Sequence, residues 1–228
     1  FIFLSNQKSI ASLPKFSESQ ARKLRGIYQD FGSKESSSVK KIEDTTKHDV
    51  KAVEYFIKNR IKNNKLVNKY NEHVHICCTS EDINNIAYSL MIKEGRDFLV
   101  YQAKMLQRTM KAMGKKYKNI PMLSHTHGQP ASPTTMGKEF INFYRRLDAQ
   151  IDDLSNIEIK GKFNGATGNY SAHSVTYPKV NWPNTMRKFV NSLKLEFSSH
   201  TTQIEPHDYI ADLCHKINHI NSILIGFS

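Results

Sequence analysis

A mainly α fold built on long helices is what this sequence predicts, and three observations predict it. Apolar residues recur at three- and four-residue spacing through residues 81–117 and again from Met136 to Leu154. No strand–helix–strand alternation and no repeat of fixed period appears between them. The alternation of threes and fours favours long helices crossing at a small angle, and the stripes are wider than one chain of 228 residues covers by itself.

Residues 1–36 carry short amphipathic pieces broken at Pro14 and Gly32, and Ser36-Ser-Ser-Val39 is expected to be a loop. Val50, Val53, Phe56, Ile57 and Ile61 then fall at helical spacing, with Thr45 or Thr46 as the expected cap. Asn63 to Asn71 is a polar helix or connector. The longest helix carries Ile83, Ile86, Leu90, Phe98, Met105 and Met113, and Thr79-Ser-Glu-Asp82 at its start comes near a capping box. Asn119-Ile-Pro121 ends it. A further helix is expected from Ser132-Pro133, serine capping and proline in the first turn, with Met136, Phe140, Phe143, Leu147, Ile151 and Leu154 on one face. Gly161, Gly165 and Gly168 break up an irregular segment. A short helix runs Asn184 to Ser192, and a last one opens after Glu205-Pro206 with Ile210, Leu213, Ile217, Ile220 and Leu224. The expected organisation is a partial N-terminal α domain over 1–70 and the first part of a long-helix bundle domain over 71–228. A start at Phe1 and an end inside an apolar run suggest a piece of a longer protein.

Composition narrows the function. No apolar run reaches the ~20 residues of a membrane span, and Cys77, Cys78 and Cys214 have the spacing of neither a zinc site nor a disulfide framework. A reducing, cytoplasmic setting fits. The net charge of +12 is spread along the chain, so it reads as composition more than as a binding tail. A basic helical nucleic-acid binder is the rival from another class; the chain has no basic, aromatic-rich motif of the kind such proteins use.

Four polar clusters stand at or near expected helix starts: Thr46-Lys47-His48-Asp49, Thr79-Ser80-Glu81-Asp82, Thr126-His127-Gly128-Gln129, and Thr201-Thr202-Gln203 with Glu205. Each alone reads as capping. Together they suggest a site, because helix N-termini carry free N–H groups and partial positive charge that suit phosphate or carboxylate. His127 on a proline-rich loop that runs straight into a helix is placed to give or take a proton near neutral pH. The pair His125-x-His127 also admits zinc, although no third ligand is evident. Asp49 either orients the His48 imidazole or forms a solvent-facing pair with it. Asn164-Gly-Ala-Thr-Gly-Asn169 matches no nucleotide-binding loop.

These segments, in order, resemble the adenylosuccinate lyase family of the fumarase/aspartase superfamily. Thr45-Thr-Lys-His-Asp-Val-Lys-Ala-Val-Glu-Tyr-Phe56 is similar to that family's first histidine segment, and Thr79-Ser-Glu-Asp-Ile-Asn-Asn85 to its Thr-Ser-Glu-Asp segment. Ser124-His-Thr-His-Gly-Gln-Pro130, Gly161-Lys-Phe-Asn-Gly-Ala-Thr-Gly-Asn-Tyr170 and Thr201-Thr-Gln-Ile-Glu-Pro-His-Asp-Tyr209 follow. The resemblance covers residues 40–228 strongly, the first forty weakly, and is closest to the bacterial-type branch.

The resemblance implies a long-helix bundle of that superfamily, incomplete here, and a lyase that breaks a C–N bond by β-elimination and releases fumarate. The substrates would be adenylosuccinate, giving AMP, and the succinyl-carboxamide purine intermediate. It implies His127 as the general acid and His48 as its catalytic support. Lys47, Asp49, Thr79, Ser80, Thr126 and Gln203 would contact substrate, Lys47 standing where many relatives have asparagine. It implies no cofactor and no metal. The partners would be an anionic nucleotide substrate and three further copies in a homotetramer with shared active sites, with neither nucleic acid nor membrane involved. Two family elements are missing from these 228 residues: the Ser-Ser-x-Met-Pro-x-Lys-x-Asn loop, with the serine taken as base, and an amino-terminal Gly-Arg-Tyr phosphate contact. The chain alone is therefore expected to be inactive. The nearest alternative is a sibling lyase acting on argininosuccinate, aspartate or fumarate.

Overall fold

The computed structural model describes residues 1–228. In chain order its elements are α1 (Ile2–Ser5), α2 (Glu18–Gln29), α3 (Ser33–Thr46), α4 (Asp49–Ile61), α5 (Lys65–Asn68), a 3₁₀ turn (Asn71–His75) and the 37-residue α6 (Ser80–Lys116). There follow β1 (Pro121–Thr126), β2 (Gln129–Thr135), α7 (Met136–Ser155), β3 (Lys160–Gly161), α8 (Ser171–Thr176), α9 (Trp182–Ser192), β4 (Glu196–Phe197) and α10 (Asp208–Ile225). The mainly helical expectation holds, and α6 matches the long stripe within a residue at each end.

The chain forms two compact units: Phe1–Tyr88 with Gly161–Pro206, and Ser89–Lys160 with His207–Ser228. In the first, Val39, Ala52 and Phe56 make a core that Ile27, Ile42 and Ile57 extend, so α2, α3 and α4 share one apolar centre. The Phe31 ring meets Phe56 edge-on at 5.7 Å. The expected loop at Ser36–Val39 is helical instead. Glu35 folds back to accept the Gly32 N–H at 3.1 Å, and Ser37 and Ser38 donate to carbonyls four residues earlier. The serines thus satisfy themselves inside the helix, while Val39 and Ile42 give it an apolar face to bury. α3 runs through Thr45 and Thr46, so neither caps α4; that position belongs to His48. α9 buries Trp182, Met186 and Val190, three residues four apart.

The second unit contains α7 and α10. α7 buries Leu147, Ile151 and Leu154, and α10 buries Leu213, Ile220 and Ile223. Lys216 reaches Asp153 at 2.7 Å between them. α6 and α7 approach closely where both have glycine: a Cβ on Gly137 would lie 2.4 Å from the Gly114 carbonyl oxygen. Helix α7 begins at Met136, capped by Thr135, and not at Ser132-Pro133. Pro130 and Pro133 push Gln129 and Ser132, which precede them, towards extended backbone. The segment accordingly pairs as an antiparallel hairpin, with Thr126 opposite Gln129 and His125 opposite Pro130. No helix is long and apolar enough to cross a membrane.

Candidate active site

In the first unit two helix N-termini meet. His48 occupies the N-cap of α4 in extended backbone, and its Nδ1 accepts the Lys51 N–H at 3.3 Å. Nε2 lies 3.2 Å from the hydroxyl of Ser80, the first residue of α6. An acceptor set between these termini would face the positive ends of two helix dipoles; the Val50 and Lys51 N–H groups of α4 are already taken by Asp49 and His48, and the Thr79 N–H by Asp82.

Asp49 sits beside the imidazole, Oδ1 3.2 Å from Nδ1. Its carboxyl is held below the usual range, first by the Val50 N–H and then by the Asn84 side chain, which donates at 3.1 Å. Asn84 is a site neighbour that the sequence reading did not single out. Its place in Thr79-Ser-Glu-Asp-Ile-Asn-Asn85, one helical turn past Ser80, is the signal that would have found it. Lys47 is exposed and left-handed at φ 53°.

Thr79 is anchored through its backbone: its N–H donates to the Asp82 carboxylate at 3.0 Å. This is the reciprocal half of the expected capping box. Asp82 is fully buried and pairs with Lys162, also fully buried, at 2.9 Å. Gln203 is exposed in the loop before α10, two residues past Thr201, whose hydroxyl accepts from the Asn164 side chain at 2.8 Å. His48, Asp49, Ser80 and their partners are therefore brought together, with Thr79 held directly behind Ser80.

Thr126 and His127 belong to the second unit, at the hairpin tip. The cluster Thr126–Gln129, expected near a helix start, is instead the end of β1, a two-residue turn and the start of β2. His127 and Gly128 both have positive φ, 53° and 72°. That is the geometry of the type I′ turn, which matches the twist of a two-stranded ribbon. His125, Thr126, His127 and Gln129 are all exposed. No group of three or more His, Cys, Asp or Glu side chains in the structure is arranged to hold a metal ion.

Comparison with known proteins places this arrangement in a family. The family described as Lyase matches residues 5–228. A protein named adenylosuccinate lyase from Buchnera aphidicola subsp. Schizaphis graminum is 47% identical over 97% of this chain and 49% of its own length. Proteins of the same name from Haemophilus influenzae and Escherichia coli K12 are 44% and 43% identical, each over 98% of this chain and 49% of the relative. The chain thus spans about half the length of the curated relatives it matches. Among solved structures, a fumarate lyase from Mesorhizobium sp. BNC1 superposes with a TM-score of 0.76 at 18% identity, over 98% of this chain and 50% of that one. A 3-carboxy-cis,cis-muconate lactonizing enzyme from Pseudomonas putida gives 0.75 at 16%, over 99% and 50%. At those identities the likeness concerns the fold alone, and it agrees with the expected mainly helical, long-helix architecture. The chain belongs to the Lyase family, and relatives that share more than two fifths of its residues bear the name adenylosuccinate lyase.

Proposed function

We propose that this chain is part of an adenylosuccinate lyase. The observation that carries the reading is the 47% identity, across 97% of the chain, to a relative of that name. The meeting of the α4 and α6 N-termini at His48 and Ser80 gives the reading a chemical basis: the substrate is a nucleotide bearing a phosphate and two carboxylates, and such termini are anion receptors.

In the proposed reaction a base removes the proton from the succinyl carbon β to the nitrogen. The C–N bond breaks, its electron pair goes to the nitrogen, and His127 supplies the proton that nitrogen takes up. The products are fumarate and AMP, or fumarate and the carboxamide nucleotide for the second substrate. His48 and Asp49 support the acid; Lys47, Thr79, Ser80, Thr126 and Gln203 hold phosphate or succinyl oxygens. The base is assigned to the serine of the family's Ser-Ser-x-Met-Pro loop, a sequence that these 228 residues do not contain, so residues 1–228 by themselves are expected to turn over no substrate.

The same proposal includes a cytoplasmic homotetramer with sites shared between copies, and a division near residue 70 into an N-terminal α domain and the beginning of a bundle domain. What supports the tetramer is the face of α6 that its own chain leaves open: Met91, Phe98 and Met105, seven residues apart, are 58%, 61% and 46% exposed, and a seven-residue repeat is a helix-packing seam.

Absorbance change on adenylosuccinate, measured with the full-length gene product, tests the activity; turnover of argininosuccinate, aspartate or fumarate in its place refutes it. In that product His127→Ala is expected to lower turnover by ~10²–10⁴, the range for losing a general acid. An unchanged single-turnover rate removes His127 from the role.

A further inference from the structure

We infer that Asp82, Lys162 and Asn164 are positioning residues that tie the Ser80 corner of α6 to the loop carrying Gln203, so that one buried network sets two stretches of the site at once. This rests on the reading above that Ser80 and Gln203 contact substrate; the network itself is independent of it.

The Asp82 carboxylate receives donors from three places. Thr79 N–H lies at 3.0 Å, the N–H groups of Asn164 and Gly165 at 3.1 Å each, and the Lys162 ammonium at 2.9 Å. The ammonium also donates to the Gly165 carbonyl at 3.2 Å. Three residues further along α6, Asn85 accepts the Lys162 N–H at 2.8 Å and donates to the Lys162 carbonyl at 3.1 Å, as a neighbouring strand would. The Asn164 side chain then crosses to the Thr201 hydroxyl at 2.8 Å. Gly168, at φ +79°, lets the two segments touch: a Cβ there would lie 1.9 Å from the Thr201 carbonyl oxygen. The connected path runs from Ser80 through Asp82 and Asn164 to Thr201, two residues short of Gln203.

Capping α6 needs one acceptor for the Thr79 N–H. It does not need a fully buried ion pair, and apolar side chains of similar volume stabilise a fold as well or better than such a pair does. What a saturated buried carboxylate supplies is fixed geometry. None of its four donors can move without leaving a polar group unpaired in the interior.

The test uses the 228-residue protein and two NMR signatures: backbone order parameters at Thr202 and Gln203, and the ring-nitrogen shifts of His48, which report its tautomer and its bond to Ser80. Thr201→Val and Asn164→Ala cut only the last link. Each is expected to drop the Gln203 order parameter from about 0.85 to below about 0.6 while the His48 ring and Val190 of α9 stay as they were. Thr201→Ser, which keeps the hydroxyl, should restore the rigid value. Asp82→Asn/Lys162→Met removes both charges together and should disturb Gln203 and the His48 ring alike. Native order at Gln203 in Thr201→Val, or a folded double variant with native His48 signals, overturns the inference. The functional reading is judged separately, by turnover of Gln203→Ala and Ser80→Ala in the full-length product: full activity there ends the substrate-contact assignment whatever the relaxation data say.

Discussion

The start of α6 and the β1–β2 hairpin both hold residues expected to do chemistry, yet they are built in opposite ways. Behind Thr79 and Ser80 lies a buried carboxylate with every donor in place, its ammonium partner as inaccessible as itself. Around His125, Thr126 and His127 there is a two-stranded ribbon whose tip is entirely exposed. A buried polar network transmits the identity of each member to its neighbours, because an unmet partner inside has nowhere else to bond. An exposed ribbon does not, because water replaces whatever is lost. The first region holds its residues by interior chemistry; the second presents them by backbone twist, through His127 and Gly128 at positive φ.

The largest expected effect follows from this contrast. Asp82→Ala strands the Lys162 ammonium and should destabilise the protein by about 3–5 kcal/mol, the range for breaking a buried pair by removing one partner. His125→Ala, on the ribbon, should stay within about 0.5 kcal/mol of wild type. Denaturant midpoints with an unchanged slope would measure both. Comparable losses at the two positions would abolish the distinction.

A second, smaller effect sharpens it by pH. His173, on α8 beside this network, is 1% exposed, with its ring 4.7 Å from Trp182 and 5.5 Å from Tyr170. Neither ring nitrogen has a protein partner. Burial pushes its pKa below the ordinary 6.5; Asp82 opposes the shift and Lys162 adds to it. His75 is lowered in the same direction, first by burial, with Glu54 opposing. An imidazole kept neutral in the fold takes up its proton first in the unfolded chain. Stability is therefore complete above about pH 6.5 and falls as pH drops below it, towards the depressed folded value. Urea midpoints should decline between pH 7.5 and 5.5, and His173→Phe should shallow the decline, leaving the share of His75. An equally steep decline in the variant would exclude His173 as its source.

The two regions also differ in how far the sequence revealed them. The stripes of α7 and α10 were legible because a buried face imposes its period whatever surrounds it, and α6 was legible from the same spacing although its Phe98 and Met105 are exposed. The corner at Thr79–Asp82 was legible as a cap because capping is local. Lys162 was not: a lysine in a glycine-rich segment signals solvent, and only the fold carries it to a carboxylate 80 residues earlier. The hairpin was misread as a loop and helix start because Ser-Pro is a good helix opening. Deciding against it were prolines that also force the preceding residues to extend, and a His-Gly pair that accepts the turn; each signal is weak until the strands pair. The serines of α3 failed for the same reason in reverse, since a loop-forming composition yielded to an apolar face one turn away.

Lys47 gives the smallest effect and the finest test. It closes α3 in left-handed backbone, φ 53° and ψ 30°, its N–H bonded to the Glu43 carbonyl at 2.7 Å. A lysine side chain strains there by about 1–2 kcal/mol, a strain that asparagine largely escapes because its short amide bonds locally. Lys47→Asn should therefore stabilise the protein by roughly 0.5–1 kcal/mol, part of the strain, seen as a higher urea midpoint at constant slope. The residue next in the chain is His48, so a strained Lys47 sits where the α4 N-terminus is aimed at Ser80. If the asparagine variant gains stability and leaves the His48 ring signals unchanged, the cap and the imidazole are independent, and positive charge is what lysine would add to the proposed anion site. A variant that loses stability would mean that the lysine makes contacts that outweigh its backbone strain.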